Sequence, residues 1–445
     1  MSTGYRLAAA AGLALGSLPA SATVYYVDFA AGNDANSGKS TATPWKHAPG
    51  DPKAAGVPAS VFLVGGDIVR FRAGIPYRGT IKLKHSGTSA ARITYTGLGW
   101  GTGRAIIDGA DPTTTTVSCP SQAECGGAPN WASLKLVTFD PPPTAAVKLF
   151  DTTGPLYESL YPAAPDPFWG DDIDSYVKTP VSQATTIESG RLDNAMLADK
   201  ARAGGPNVRL SFWISGNLVT ERKIDSVSGD SIFFTPNGLK LYHDRDGRVG
   251  LLGSPAALSI AGTYALIGPG KAIVLPRSTG GALSVGSGRV GFDLQSRSYV
   301  TVDGFQFLRG YASPGSLTEG MAVRNGAYSI GKGWRITNNI FGPAAMMNGL
   351  GIVTLSSTDG PLVQGNSFDT IEKGSGLRTG SYVSNVSFLD NRIRRVGRTA
   401  LYFAGVKTGW VKGNIVRDIK GIHGNGMSFY LANQNITVEY NCIYD

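Results

Sequence analysis

The chain has 445 residues, 60 of them glycine, about twice the average share; only 16 % are charged and 42 % are apolar. These values exclude a disordered chain, which needs more charge and less apolar content, and a coiled coil, about half of which is Ala, Glu, Lys, Leu and Arg. With no long apolar run after the N-terminus they also exclude a polytopic membrane protein, and the net charge of +9 points to an anionic partner.

Residues 1–22 read as an export signal. Arg6 supplies the charge, residues 7–18 are apolar, and Ala20, Ser21 and Ala22 match a small-x-small cleavage pattern. The expected product is a secreted or periplasmic monomer with no membrane span. In that compartment Cys119 and Cys125, six apart in a Pro/Gly-containing loop, are free to form a disulfide. Cys442, beside candidate core positions, is expected to be an inert buried thiol.

Residues 23–140 read as an N-terminal cap (45–63) followed by the first β coils, with short strand-like runs at 67–71, 80–83, 92–95 and 105–109. Three prolines at 141–143 mark a break. Residues 141–287 carry strand-like runs without a repeat and read as an inserted β-rich module.

Residues 288–445 repeat. Asn339, Asn366, Asn391, Asn414 and Asn441 are spaced 27, 25, 23 and 27 apart, each after a short alternating run and before an apolar or polar-apolar pair; Gly304 is aligned with them in an earlier unit. Strands this short bury no face alone, whereas stacked units share one core and a repeated Asn forms a ladder. The expectation is an all-β chain: a right-handed parallel β-helix with an inserted β-rich module.

The opening carries Val24, Tyr25, Tyr26, Val27 and Asp28, then Gly32, Asn33, Asp34, Ser37 and Gly38, then Pro44 and Trp45. It continues through Gly66, Asp67, Gly74, Tyr77, Gly79, Ser86, Gly87 and Thr88 to Ile107, Asp108 and Gly109. It resembles the opening of secreted right-handed parallel β-helix proteins of the pectate-lyase-like superfamily. The run at 248–276, with Gly262, Thr263, Tyr264, Leu275 and Pro276, resembles a β-sandwich insert of some β-helix glycoside hydrolases. The resemblance implies fold and export; the superfamily hosts lyases, hydrolases, epimerases and adhesins. Residues 366–380, with Arg378, faintly resemble the arginine coil of alginate and dermatan lyases, but Ser357 stands where those enzymes carry a lysine.

Stacked coils place equivalent positions about 4.8 Å apart. Leu377, Leu401 and Met427 read as inward, so Arg378, Tyr402 and Ser428 point outward in one column, with Tyr430 on the same face. A ring, a guanidinium fork and a hydroxyl suit a sugar. The loops before these strands hold Asp369, Glu372 and Lys373, then Arg394, Arg395 and Arg398, then Asp418, Lys420, His423 and Asn425; Glu319 stands at the top. The expected catalytic set is His423, Glu372, Glu319 and Arg398, and the expected substrate contacts are Arg378, Tyr402, Ser428, Tyr430, Lys373 and Asn425. A glycosidase would use two of the carboxylates. A lyase would use an arginine to neutralise a uronate and His423 or Tyr402 to move protons. A non-catalytic glycan-binding or adhesin β-helix is the third class. The expected partner is a polysaccharide or oligosaccharide, acidic because residues 288–445 carry a net +6, rather than nucleic acid. No cofactor is required, and carboxylates on stacked loops have room to share a calcium ion (Ca2+).

Overall fold

The computed structural model describes every residue except 1–21, 141–146, 170–172, 205–206, 216–217, 242–246, 279, 313–318, 326–328, 347–349, 422 and 445. The export segment expected at 1–22 therefore lies, but for Ala22, outside the described residues.

Three long parallel sheets, with a short fourth of Gly331–Lys332, Thr358–Asp359 and Val383–Ser384, wind around one core. The first runs Val24–Val27, Ile68–Phe71, Ile93–Thr96, Val300–Asp303, Arg335–Thr337, Leu362–Gln364, Val386–Leu389, Gly409–Lys412 and Ile436–Glu439. The second includes Ile106–Asp108, Gln306–Leu308, Ile340–Phe341, Ser367–Glu372, Arg392–Val396, Ile415–Ile419 and Cys442–Tyr444. The third runs Ile81–Lys82, Phe292–Asp293, Val323–Arg324, Gly351–Leu355, Ser375–Thr379, Leu401–Ala404 and Met427–Tyr430. Alternate residues of each strand enter the core, where Phe307, Phe341 and Phe368 stack at ring spacings of 4.9 and 4.8 Å.

The corner between the first and second sheets is held by the asparagine column. The N–H groups of Asn339, Asn366, Asn391 and Asn414 each donate to the side-chain oxygen of the next asparagine at 2.9–3.0 Å. Their amide nitrogens donate to carbonyls of the coil before, those of Val302, Ile336, Val363 and Phe388. The corner backbone needs this help because the residue before each asparagine is left-handed: Asn338, Gly365, Asp390, Gly413 and Tyr440 have φ of 55, 65, 55, 68 and 54°. The alignment of Gly304 with the asparagines is off by one. Gly304 (φ 72°) takes the left-handed position, and Phe305 takes the ladder position, its N–H donating to Asn339 at 2.9 Å.

The inserted region begins earlier than Pro141. The chain leaves the stack after Ile106–Asp108 and returns at Phe292–Asp293. Ala110–Pro112, Leu149–Phe150 and Ser284–Gly286 form an antiparallel neck. Thr115–Ser118 and Lys135–Thr138, expected among the first coils, pair instead in a sheet with Lys271–Leu275, Thr263–Gly268 and Tyr157–Glu158. A second, larger sheet, built on Arg209–Ser215, Leu218–Ser228 and Arg248–Leu252, covers the helix Ala195–Arg202, which is capped by Asn194. The Cys119–Cys125 disulfide is formed within this module. Because the module replaces one connection between the second and third sheets, it overhangs the same connection of later coils.

Candidate active site

Under that overhang lies a cavity of about 350 Å3, walled on one side by the module and on the other by the solenoid. The solenoid contributes Glu372 and Lys373, at the end of Ser367–Glu372, together with Tyr311. The module contributes Lys148 from beside its neck, Tyr157 and Glu158 from one short strand, Tyr264 and Arg209.

The charges in the cavity are matched. Lys148 forms an ion pair with Glu372, the two side chains being only 8 % and 6 % exposed. The Lys148 ammonium also stands 5.1 Å from the Tyr157 ring centre. Burial pulls the Lys148 pKa below the ordinary lysine range, more than Glu372 lifts it. Arg209 bridges two carboxylates, Glu158 at 2.6 Å and Glu221 at 2.7 Å. Burial opposes its charge, but the two acids outweigh that and push its pKa up. Tyr157, Tyr264 and Tyr311 are all raised, by burial first and then by Glu372 or Glu158. They remain neutral phenols, able to donate hydrogen bonds. Tyr264 donates to the carbonyl of Val147 at 2.8 Å. The second oxygen of Glu158, Oε1, is buried without a hydrogen-bond partner, an unusual state for a carboxylate.

Of the residues singled out in the sequence, Glu372 and Lys373 line this cavity. Glu319 is half-buried and close enough for its charge to raise Tyr311. Arg398 and His423 lie on the connections of the next two coils. Thr399 links those connections, its hydroxyl donating to the His423 carbonyl at 3.0 Å. His423 and Asn425 are exposed, and neither lines the cavity. Partial burial and the charge of Arg398 hold the His423 pKa below the usual histidine range. His423 and Arg398 thus stand on the connections of the coils that follow Glu372, outside the cavity it lines.

The outward column is present. Arg378 pairs in register with Tyr402, and Tyr402 with Ser428. The Arg378 guanidinium lies 4.9 Å from the Tyr402 ring centre. Tyr430 is in register with Ala404, one column along, its ring 6.1 Å from that of Tyr402.

The four arginines at 392–398 do not form one patch. Arg392 and Arg394 face outward on the second sheet. Arg395 turns to the module, pairing with Asp166 at 2.7 Å and lying 4.5 Å from the Phe168 ring centre. Asp369, expected in a loop, is on the second sheet and pairs with Arg394 at 2.6 Å. Its carboxylate therefore does not meet that of Glu372, and among the described residues no three His, Cys, Asp or Glu side chains converge to hold a metal ion. Cys442 is exposed rather than buried, because the residue after each ladder asparagine points outward and Cys442 is in register with exposed Ile415.

Sequence reasoning missed Lys148, Tyr157, Glu158, Arg209 and Tyr264. They lie in the non-repeating module, and no local spacing marks them.

Residues 284–445 match the protein family described as the right handed beta helix region. None of the curated proteins matches the sequence. A solved structure described as a glycoside hydrolase is similar over 94 % of this chain and 96 % of its own, with 10 % identity and a TM-score of 0.51. The complex of XylC with xylose aligns with 94 % of this chain and 70 % of its own, at 11 % identity and a TM-score of 0.38. The GH136 lacto-N-biosidase from Eubacterium ramulus aligns with 95 % and 57 %, at 11 % identity and a TM-score of 0.35. At such identities the likeness speaks for the fold alone. The chain is thus a right-handed parallel β-helix interrupted by a β-rich module.

Proposed function

We propose that the protein is an exported carbohydrate-active enzyme that hydrolyses a glycosidic bond in the cavity beneath the inserted module. One observation carries this reading: the fold sets Glu372 of a coil and Glu158 of the module around one cavity that also holds three neutral phenols. Glycoside hydrolysis needs two carboxylates in different states. Glu158, held by Arg209 through Oε2 and with Oε1 unbonded, is the ionised one, acting through Oε1 as nucleophile or base at the anomeric centre. Glu372 forms a buried pair with Lys148, whose pKa burial lowers, so the pair can pass the lysine's proton through Glu372 to the leaving oxygen. Water supplies the hydroxyl to the sugar and restores the proton. The phenols orient sugar hydroxyls, and the column of Arg378, Tyr402 and Ser428, on strands that begin just after the Glu372 loop, receives the rest of the chain.

A lyase is less well supported. β-Elimination needs a cation to neutralise a uronate; in this cavity Lys148 and Arg209 are already held by carboxylates, so the role would fall to Lys373 at its wall. Export rests on the N-terminal pattern and on the Cys119–Cys125 disulfide, which suits an oxidising compartment. The test is a panel of neutral and acidic polysaccharides and oligosaccharides. The expected result is new reducing ends without the ultraviolet absorbance of an unsaturated product. Glu372→Gln and Glu158→Gln should each lower turnover at least about 10²-fold. Turnover unchanged in both variants would remove the site from this cavity.

A further inference from the structure

We infer that the outer face of the second sheet is a separate binding surface for an acidic polysaccharide, lined by none of the residues of the cavity that holds Glu372. Outward positions on successive coils form two columns there. Arg392, Ile415 and Cys442 are in register in one, and Asp369, Arg394, Arg417 and Tyr444 in the other. The side chains enclose a shallow depression of about 420 Å3. Its charge is not internally matched. Asp369 is taken by Arg394, at 2.6 Å, and by the Thr370 hydroxyl at 2.9 Å. Among the described residues Arg417 has only a 3.9 Å contact with its neighbour Asp418, and Arg392 has no carboxylate partner. Both arginines are exposed.

Two guanidinium forks are therefore presented to solvent one rung and one column apart, their backbones roughly 8 Å from each other, where each can take two oxygens of a carboxylate or sulfate. Beside them Ile415 (36 % exposed) and Tyr444 (48 %) offer an apolar platform, which suits the C–H face of a sugar ring. The columns run along the axis of the solenoid, so a polymer lying along them meets Arg392 and then Arg417. The choice of polysaccharide over another polyanion rests on the glycan-acting reading of the cavity; the surface itself does not. No group with the carboxylate pair of a hydrolase is present in the depression, so its role is to hold polymer rather than cut it.

Cys442 makes the face observable. It adjoins Ile415 in register, is exposed, and is the sole thiol outside the disulfide. The full chain is alkylated with a maleimide in the presence of heparin, polygalacturonate, dextran or oligothymidylate. Heparin or polygalacturonate should slow modification of Cys442, with protection fading as salt is raised, and dextran should not. Arg392→Gln/Arg417→Gln, at exposed positions that leave the melting temperature in place, should raise the polymer concentration for half-protection about tenfold. Glu372→Gln should protect as well as the parent, which separates this surface from the cavity whatever the fate of the catalytic reading. Absence of protection by either acidic polysaccharide, or protection unchanged in the double arginine variant, would overturn the inference. Protection by oligothymidylate at an equal or lower concentration would assign the face to nucleic acid instead.

Discussion

Lys148 of the inserted module and Glu372 of the solenoid form a buried ion pair across the boundary between the two. It ties the module to the coil and gives the cavity its charged wall. Neither residue would be stable there alone, since an unpaired buried charge costs several kcal/mol.

Removing one partner should therefore cost more than removing both. Lys148→Met should destabilise the chain by about 3–5 kcal/mol, and Lys148→Met with Glu372→Gln by distinctly less. Denaturant unfolding of the parent, both single variants and the double variant measures the difference. Equal losses in Lys148→Met and in the double variant would show that the pair is not coupled.

The asparagine column predicts a second effect. Asn391 accepts both the N–H and the side-chain amide of Asn366 at 3.0 Å, and its own amide donates to the carbonyls of Val363 and Leu389. Asn391→Ala leaves these groups buried and unpaired, for a loss of about 2–5 kcal/mol. Asn441, at the last described corner and only half-buried, should tolerate the same change with a smaller loss. Thermal unfolding of the two variants makes the comparison.

The depressed pKa of His423 has a definite sign. In the window between its folded value and the ordinary histidine value, the unfolded chain holds more protons than the folded one. Stability contributed by this group therefore rises with pH through that window, just below the usual histidine range, and is complete above it. Arg398→Gln removes one of the two causes, so the His423 titration should move up. Proton NMR of the imidazole, with His423→Gln to assign the signal, reads the shift. An unmoved titration would mean that burial alone sets it.

Arg395 should act as a latch. Its contacts with Asp166 and Phe168 are partly exposed, so Arg395→Ala should cost only about 1 kcal/mol in global stability. Residues 163–169, which contribute Ala163, Ala164 and Pro167 to the cavity wall, should nonetheless become easier to cleave in limited proteolysis. A cleavage pattern identical to that of the parent would show that the segment is held by other contacts.

The repeat was legible because a solenoid is built from local contacts between neighbouring coils. One coil predicts the next, so the asparagine spacing led to the corner ladder and the alternation led to the Arg378, Tyr402 and Ser428 column. The same logic misplaced two residues by one position. Gly304 resembles the ladder residue by its turn chemistry, but it supplies the left-handed φ and leaves the ladder place to Phe305. Cys442 was read as core from its neighbours, although Arg392 and Ile415, the equivalent residues of the preceding coils, point outward.

The sequence by itself determined the stacked coils, their register, the outward side-chain columns and the presence of a non-repeating interruption, because these follow from a period and from the alternation of side chains along a strand. Only the tertiary structure decided where the interruption begins, that Glu372 meets Lys148 from 224 positions earlier in the chain, and that Glu158 and three tyrosines close the same cavity. No periodicity carries that information. The module has no repeat, its strands pair over long separations, and its placement depends on how the neck strands at 110–112, 149–150 and 284–286 emerge from a single coil.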